Sequence, residues 1–325
     1  MQTLRAPKLN IEKRLLDLLA IPVEQITLAV IEEAVQYLRS TLDESIGKAT
    51  AKLGVNAIDL AGTGGSGIPK FNTSTSIAFV LAAYGVKVVK FGNRSITGNS
   101  GSLDFLANIG FETDISIEHA AGSLSQMDLV FLNAATCYPQ IGLIREQRKE
   151  LGRPSIFNFI GPLLNPVSPE FRLMGVSDNR VREILNQFLV DGKTMNRAIT
   201  MTSASGLDEL TPADQNHVSM IDSAQISSID TKDALKRFST LSQSVSKLPG
   251  RTVISSAKQN AKLFDEIITG SDTTSDAFAS VVVNAGAAFL AVKAVASLEE
   301  GCMLSQKLIA NRSVQKKYEQ LRRAQ

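Results

Sequence analysis

Tryptophan is absent from this 325-residue chain, and cysteine and histidine occur only twice each. Cys137 and Cys302 are too few to build a disulfide framework, which fits a reducing, cytoplasmic setting. His119 and His217 read as surface or satisfied polar groups rather than ligands, and neither a Ser-His-Asp nor a Cys-His arrangement is visible. Charge of one sign is not in excess: 34 basic against 32 acidic residues leave +2, which gives no reason to expect a nucleic-acid partner. No uncharged apolar run is long enough to span a bilayer, and Met1–Ala20 lacks the apolar core of a signal peptide, so no membrane association is expected. What is present, 44% hydrophobic and 20% charged residues over a length suited to about two domains, describes a globular chain with a substantial core.

Glycine is concentrated in one place. Val55–Leu60 is an apolar run of strand composition, and Gly62, Gly64, Gly65 and Gly67 follow it, where side chains would prevent close backbone approach. Asn72, Ser74 and Thr75 then lead into a helical run, Ser76–Tyr84, with residues suited to satisfying the free donors of a first turn. A second strand, Val86–Val89, ends on Lys90, and Arg94 lies just beyond. One βαβ unit therefore brings a glycine loop, a helix N-terminus and two cations to the carboxyl ends of two strands, a combination suited to phosphate. Gly62, Gly64 and Gly67 also fit G-x-G-x-x-G, but a dinucleotide site wants an acid where this chain has Lys90. A Walker loop fails as well, because Phe71 follows Lys70. A purely structural glycine turn remains the competing reading.

Elsewhere, residues 8 to 52 carry helical periodicity, with Leu15, Leu16, Leu18 and Leu19, then Val30, Ile31, Ala34, Val35 and Leu38, and Pro22 between two helices. Further on, the sequence predicts helices at Leu103–Asn108, Ile141–Leu151 and Arg180–Leu189, and one long helix over Asp276–Leu298. It predicts strands at Asp128–Leu132, Ser155–Phe159, Ala198–Thr202 and His217–Ile221, with a weak one at Ser255–Gln259. The Ser/Thr-rich segment Ser223–Val245 reads as a flexible surface excursion. Such alternation implies an α/β fold with a mainly parallel central sheet flanked by helices, preceded by a small N-terminal helical domain. The expected division is 1–52, joined in space by a helix at about 138–152, and 53–325. Asp208 and Glu209, adjacent acids after a strand, could both reach one hard cation, although taken alone they read first as an exposed acidic turn. Arg148, in the run Arg145, Arg148, Lys149, reads on its own as one more charge on an exposed helix.

GTGGSG, FNTSTS, KFGNRS and NSGSLDFLANIG, in this order and spacing, resemble the anthranilate phosphoribosyltransferase family. The likeness continues through IFNFIGPLLNP (Ile156–Pro166), GLDEL (Gly206–Leu210) and VNAGAAFLA (Val283–Ala291), and covers about residues 55 to 320. The resemblance implies 5-phosphoribosyl 1-pyrophosphate as donor, gripped by Gly62, Thr63, Gly64, Gly65, Asn72, Ser74 and Thr75, with Lys90 neutralising the departing pyrophosphate. It implies Mg2+ as cofactor at Asp208 and Glu209, with Ser74 helping. It places Asn93, Arg148 and Pro162 beside an aromatic acid acceptor, and a homodimer contact in the helical domain. The implied reaction moves the phosphoribosyl group to the amino nitrogen of anthranilate or a related aromatic acid, a step of tryptophan biosynthesis. A phosphoribosyltransferase with another acceptor, or a non-catalytic nucleotide- or nucleic-acid-binding paralogue, is the alternative. The sequence departs from the family pattern at Phe91 and Tyr138, where the family carries histidines, at Ser66, where it carries an aspartate, and at Thr97, Gly98 and Asn99, where it carries Ser-Ser-Lys.

Overall fold

The computed structural model describes residues 5–53, 56–68, 70–94, 101–113, 115–192, 195–236 and 256–324. Helices α1 (Arg5–Ala20), α2 (Leu28–Ser40) and α3 (Glu44–Thr50) come first, with Thr27 and Asp43 capping the second and third. Strands β1 (Ile58–Gly62), β2 (Val88–Gly92), β3 (Leu129–Asn133), β4 (Phe171–Gly175), β5 (Arg197–Ser203), β6 (Asn216–Asp222) and β7 (Gln225–Ser228) form one sheet in the order β3-β2-β1-β4-β5-β6-β7. The pairings from β3 through β5 are parallel, and β6 and β7 add an antiparallel edge.

Side chains alternate across this sheet as the period-2 pleat requires. Val88 of β2 joins one core, and Val89 and Phe91 join the other. The first core holds α4 (Thr73–Tyr84), α5 (Ser102–Asn108) and four later helices: α11 (Ala257–Ile268), α12 (Asp276–Ala291), α13 (Leu298–Ala310) and α14 (Ser313–Arg323). The second packs the N-terminal helices against α6 (Ile117–Met127), α9 (Ile156–Ile160) and α10 (Asn179–Asp191). Two guanidinium bonds tie those first helices down, Arg39 to the Leu163 carbonyl at 2.9 Å and Arg180 to the Ile26 carbonyl at 3.0 Å. Among the described residues no helix is long and apolar enough to cross a membrane.

Several sequence expectations change here. Ser155–Phe159 is not a strand but the start of α9, because Asn158 and Ser155 form a capping box, with Ser155 N donating to Asn158 Oδ1 at 3.0 Å. The strand of that region is β4, whose FRLMG pattern hides a charge in mid-sheet: Arg172 is buried 4.0 Å from Asp59 of β1. Residues expected as a weak strand at 256–259 instead cap and begin α11, with Ser256 accepting from Gln259 N. Ser255 lies outside the described residues, as do Val55 and residues 237–245 of the expected excursion. Within that excursion β7 is an ordered edge strand. The long helix stops at Ala291, where Lys293 turns left-handed and Ser297 caps α13. The helix expected at Ile141–Leu151 is a 3-10 segment (Pro139–Ile144) continued by α8 (Arg145–Leu151), and it follows a short helix α7 (Ala134–Cys137).

The chain runs β1, β2, β3 outward in one direction and then returns to place β4 on the other side of β1. That reversal is a topological switch point, and ligands of open parallel sheets bind outside the carboxyl ends of the strands there. Gly62 ends β1 and Gly175 ends β4, directly opposite one another.

Candidate active site

The two paired glycines make a notch, and Asp208 fills it. A Cβ on Gly62 would lie 2.3 Å from Asp208 Oδ2, and one on Gly175 only 1.7 Å from the Asp208 carbonyl oxygen. Two absent side chains thus let the β5–β6 loop settle onto the sheet end. The loop is fixed from both sides: Leu207 N donates to Ser203 Oγ at 2.9 Å, and Asn284 of α12 clamps both the N–H and the carbonyl of Leu210 at 2.9 Å. Gly206 turns it with φ +82°. Neither acid is an exposed turn residue, since their side chains are 2% and 12% accessible.

The glycine loop crosses above this point. Thr63 N donates to the Gly175 carbonyl at 3.0 Å, and the Thr63 hydroxyl accepts from Ser177 N at 3.0 Å. Gly64 is left-handed, faces open space, and donates its N–H to Asp208 Oδ2 at 2.8 Å. Gly65 is left-handed too but packs on Pro154. Ser66 turns its hydroxyl to Ile68 N at 3.3 Å.

Below the loop, α4 starts at Thr73, earlier than the sequence suggests. Asn72 N is taken by Asn260 Oδ1 at 2.9 Å, so this donor already has a protein partner. Ser74 faces the cleft, and its Oγ accepts from Lys90 Nζ at 3.1 Å. Thr75 does not line the cleft: it is fully buried, and among the described residues its hydroxyl has no hydrogen-bond partner. Lys90 is held by the Leu60 carbonyl at 2.6 Å, and burial, partly opposed by Asp59, lowers its pKa to about 8. Burial pushes Asp59 up, against Arg172 and Lys90.

Lys70 is the residue that sequence reasoning passed over. It served only to exclude a Walker loop, yet its ammonium lies 2.5 Å from Asp208 Oδ1 and 3.8 Å from Glu209 Oε2. Burial would raise Asp208, but Lys70 and the Gly64 N–H hold it below the usual carboxylate range. Glu209, with Ser280 Oγ donating to it at 3.3 Å, is pushed up by burial. A lone cation inside a glycine loop was the available signal.

A cleft of about 890 Å3 runs from this loop to the helices beyond β2 and β3. At its far end Phe91 and Tyr138 meet edge to face, 6.1 Å between ring centres. The two departures in which an aromatic ring replaces a family histidine are therefore in mutual contact. Arg148 of α8 lies 5.3 Å over the Phe157 ring, and burial lowers its pKa to about 10. Asn93 and Pro162 line the same end. Thr97, Gly98 and Asn99 lie outside the described residues. Two carboxylates bordering the cleft are the hard-oxygen type of ligand that Mg2+ favours, although among the described residues no group of three or more His, Cys, Asp or Glu could hold a metal alone.

A family profile described as "Glycosyl transferase family, a/b domain" matches residues 54–313. Anthranilate phosphoribosyltransferase of Staphylococcus saprophyticus is 33% identical over 260 residues, 79% of this chain and 73% of that protein. The chain belongs to this family. The Staphylococcus aureus enzyme of the same name is 34% identical over 82% of this chain and 78% of its own length. The crystal structure of anthranilate phosphoribosyltransferase from Thermus thermophilus superposes with a TM-score of 0.74 at 23% identity, covering 93% of this chain and 86% of that one. The Saccharomyces cerevisiae enzyme, solved in complex with PRPP and Mg, superposes at 0.70 with 22% identity, covering 96% and 91%. Both solved structures share the fold.

Proposed function

We propose that this protein is a Mg2+-dependent phosphoribosyltransferase that moves the phosphoribosyl group of 5-phosphoribosyl 1-pyrophosphate to the amino nitrogen of anthranilate, or of a closely related aromatic acid, in tryptophan biosynthesis. The observation that carries this reading is one cleft with an acid pair and glycine loop at one end and an arginine over an aromatic floor at the other. Relatives above 30% identity bear the corresponding name.

In this reading the backbone of Gly64, Gly65 and Gly67 faces the donor phosphates, with the Ser74 hydroxyl and the Lys90 ammonium beside them. Asp208 and Glu209, helped by Ser74, would hold Mg2+, which when bound neutralises charge on the pyrophosphate. Arg148 orients the acceptor carboxylate, Phe91, Tyr138 and Phe157 pack its ring, and Asn93 and Pro162 border it. The acceptor nitrogen then attacks C1 of the ribose, the C1–O bond breaks with its electron pair leaving on pyrophosphate, and the nitrogen releases a proton to water. Positioning and charge stabilisation suffice for this chemistry, and no covalent nucleophile is required.

The division into a helical domain (1–52 with about 138–152) and an α/β domain (53–325), a homodimer through the helical part, and a cytoplasmic location belong to the same proposal. Donor plus Mg2+ should stabilise the protein by about 2.7 kcal/mol at a hundredfold excess over the dissociation constant. Lys90→Gln should lose most of that response. Stabilisation by oligonucleotide alone, steeply salt-dependent, would replace this reading with the binding-paralogue alternative.

A further inference from the structure

Lys70 has no part in the donor-binding scheme above, yet it occupies its centre. The lysine reaches from the glycine loop across to both acids, which are nearly closed to solvent, while its own side chain remains 28% exposed. Two adjacent buried carboxylates repel one another and are poorly solvated unless a cation lies between them. An ammonium is a compact point charge with three donors, able to serve several oxygens without a fixed fork. A divalent ion at the same oxygens would compete with that ammonium for them, and two cations sharing one carboxylate repel strongly in a partly buried site.

We propose that Lys70 is the resident counter-cation of the Asp208–Glu209 pair and competes with divalent metal for it, so that metal enters only together with a phosphate-bearing donor. The identity of that donor rests on the phosphoribosyl-transfer reading; the competition itself does not. The geometry favours exchange over permanent replacement. Lys70 is the most exposed member of the trio and follows a loop with three left-handed glycines. When it leaves, Asp208 keeps its place through the Gly64 N–H at 2.8 Å. The lysine then finds donor phosphates in the same cleft as its new partner. Lys90 is not the counter-cation of the acid pair, because its ammonium is held by the Leu60 carbonyl and the Ser74 hydroxyl.

The probe is Mn2+ alone, added to donor-free protein and read from the electron paramagnetic resonance signal of the free ion. Wild type should bind it weakly. Lys70→Gln and Lys70→Thr should bind at least about tenfold tighter, equivalent to roughly 1.4 kcal/mol, and adding Asp208→Asn should abolish the gain. Mn2+ should also raise the melting temperature of Lys70→Gln more than that of wild type. A lysine variant that folds only with Mn2+ would support the proposal, and one that stays unfolded with it would overturn it. So would unchanged Mn2+ affinity in a folded Lys70→Gln, or tight binding by donor-free wild type. None of these readouts needs turnover, so failure here leaves the transferase reading standing. Loss of the donor response with the competition intact would sink that reading alone.

Discussion

Replacing Gly175 by alanine tests the notch without substituting any residue assigned to substrate or metal. Gly175 has an ordinary φ, so alanine brings no backbone strain there, only a methyl group. That methyl would stand 1.7 Å from the Asp208 carbonyl oxygen, 2.4 Å from its carbonyl carbon and 3.1 Å from its Cα, all main-chain atoms that cannot swing aside. The β5–β6 loop has to retreat by more than about 1 Å to regain ordinary contact distances. Forcing an extra methyl into such packing costs about 1–3 kcal/mol of stability. Displacing a positioned charge by about 1 Å costs on the order of a hundredfold in rate. Urea unfolding and kcat/KM for the donor, measured together, should show a stable protein with a disproportionate loss of turnover. Gly47→Ala is the control: Gly47 lies inside α3 with open space where a Cβ would go, and alanine there should stabilise by about 0.5–1 kcal/mol with no kinetic effect. Wild-type turnover in Gly175→Ala would refute the claim that the paired glycines seat Asp208.

Three further outcomes are expected. Asp208→Asn with Glu209→Gln should abolish Mg2+-dependent turnover with the fold retained by circular dichroism, and wild-type rates at limiting Mg2+ would remove these acids from the metal site. Arg148→Ala should raise the KM for the acidic acceptor roughly ten- to hundredfold, the worth of a charge-assisted hydrogen bond of about 1.5–3 kcal/mol, with little change for the donor; an effect confined to the donor would move Arg148 to the phosphates. Because burial brings Lys90 to about 8, its positive charge is present below that pH and lost above it, so kcat/KM for the donor should fall as pH rises through about 8. Lys90→Arg should shift that limb upward, and a limb unmoved by the substitution would assign it to another group.

Much of this architecture was legible in the residues because it is written locally. The β1–α4–β2 unit carries its glycines, its helix start and Lys90 within a few turns of chain, and all of the proposed site residues except Thr75 line one cleft. The rest depends partly on partners distant in sequence and partly on local choices that two patterns share. Arg172 interrupts β4 with a charge that is tolerable in a sheet only because Asp59 of β1 lies beside it, 113 positions away in sequence order, and nothing in FRLMG announces that partner. The apolar run at Ser155–Phe159 suits a buried helix as well as a strand, and the capping box decided between them. Thr75 follows the helical repeat inward, so a hydroxyl expected to grip phosphate is buried instead. Lys70 is one lysine among 34 basic residues until the fold brings the β5–β6 loop against it.

Phosphoribosyl transfer to anthranilate is tested most directly by mixing the protein with Mg2+, 5-phosphoribosyl 1-pyrophosphate and anthranilate, and following anthranilate fluorescence and pyrophosphate together. Loss of fluorescence and release of pyrophosphate in equal amounts, dependent on all three additions, are expected. Fluorescence and pyrophosphate both unchanged, with a folded protein and donor in excess, would contradict this transfer.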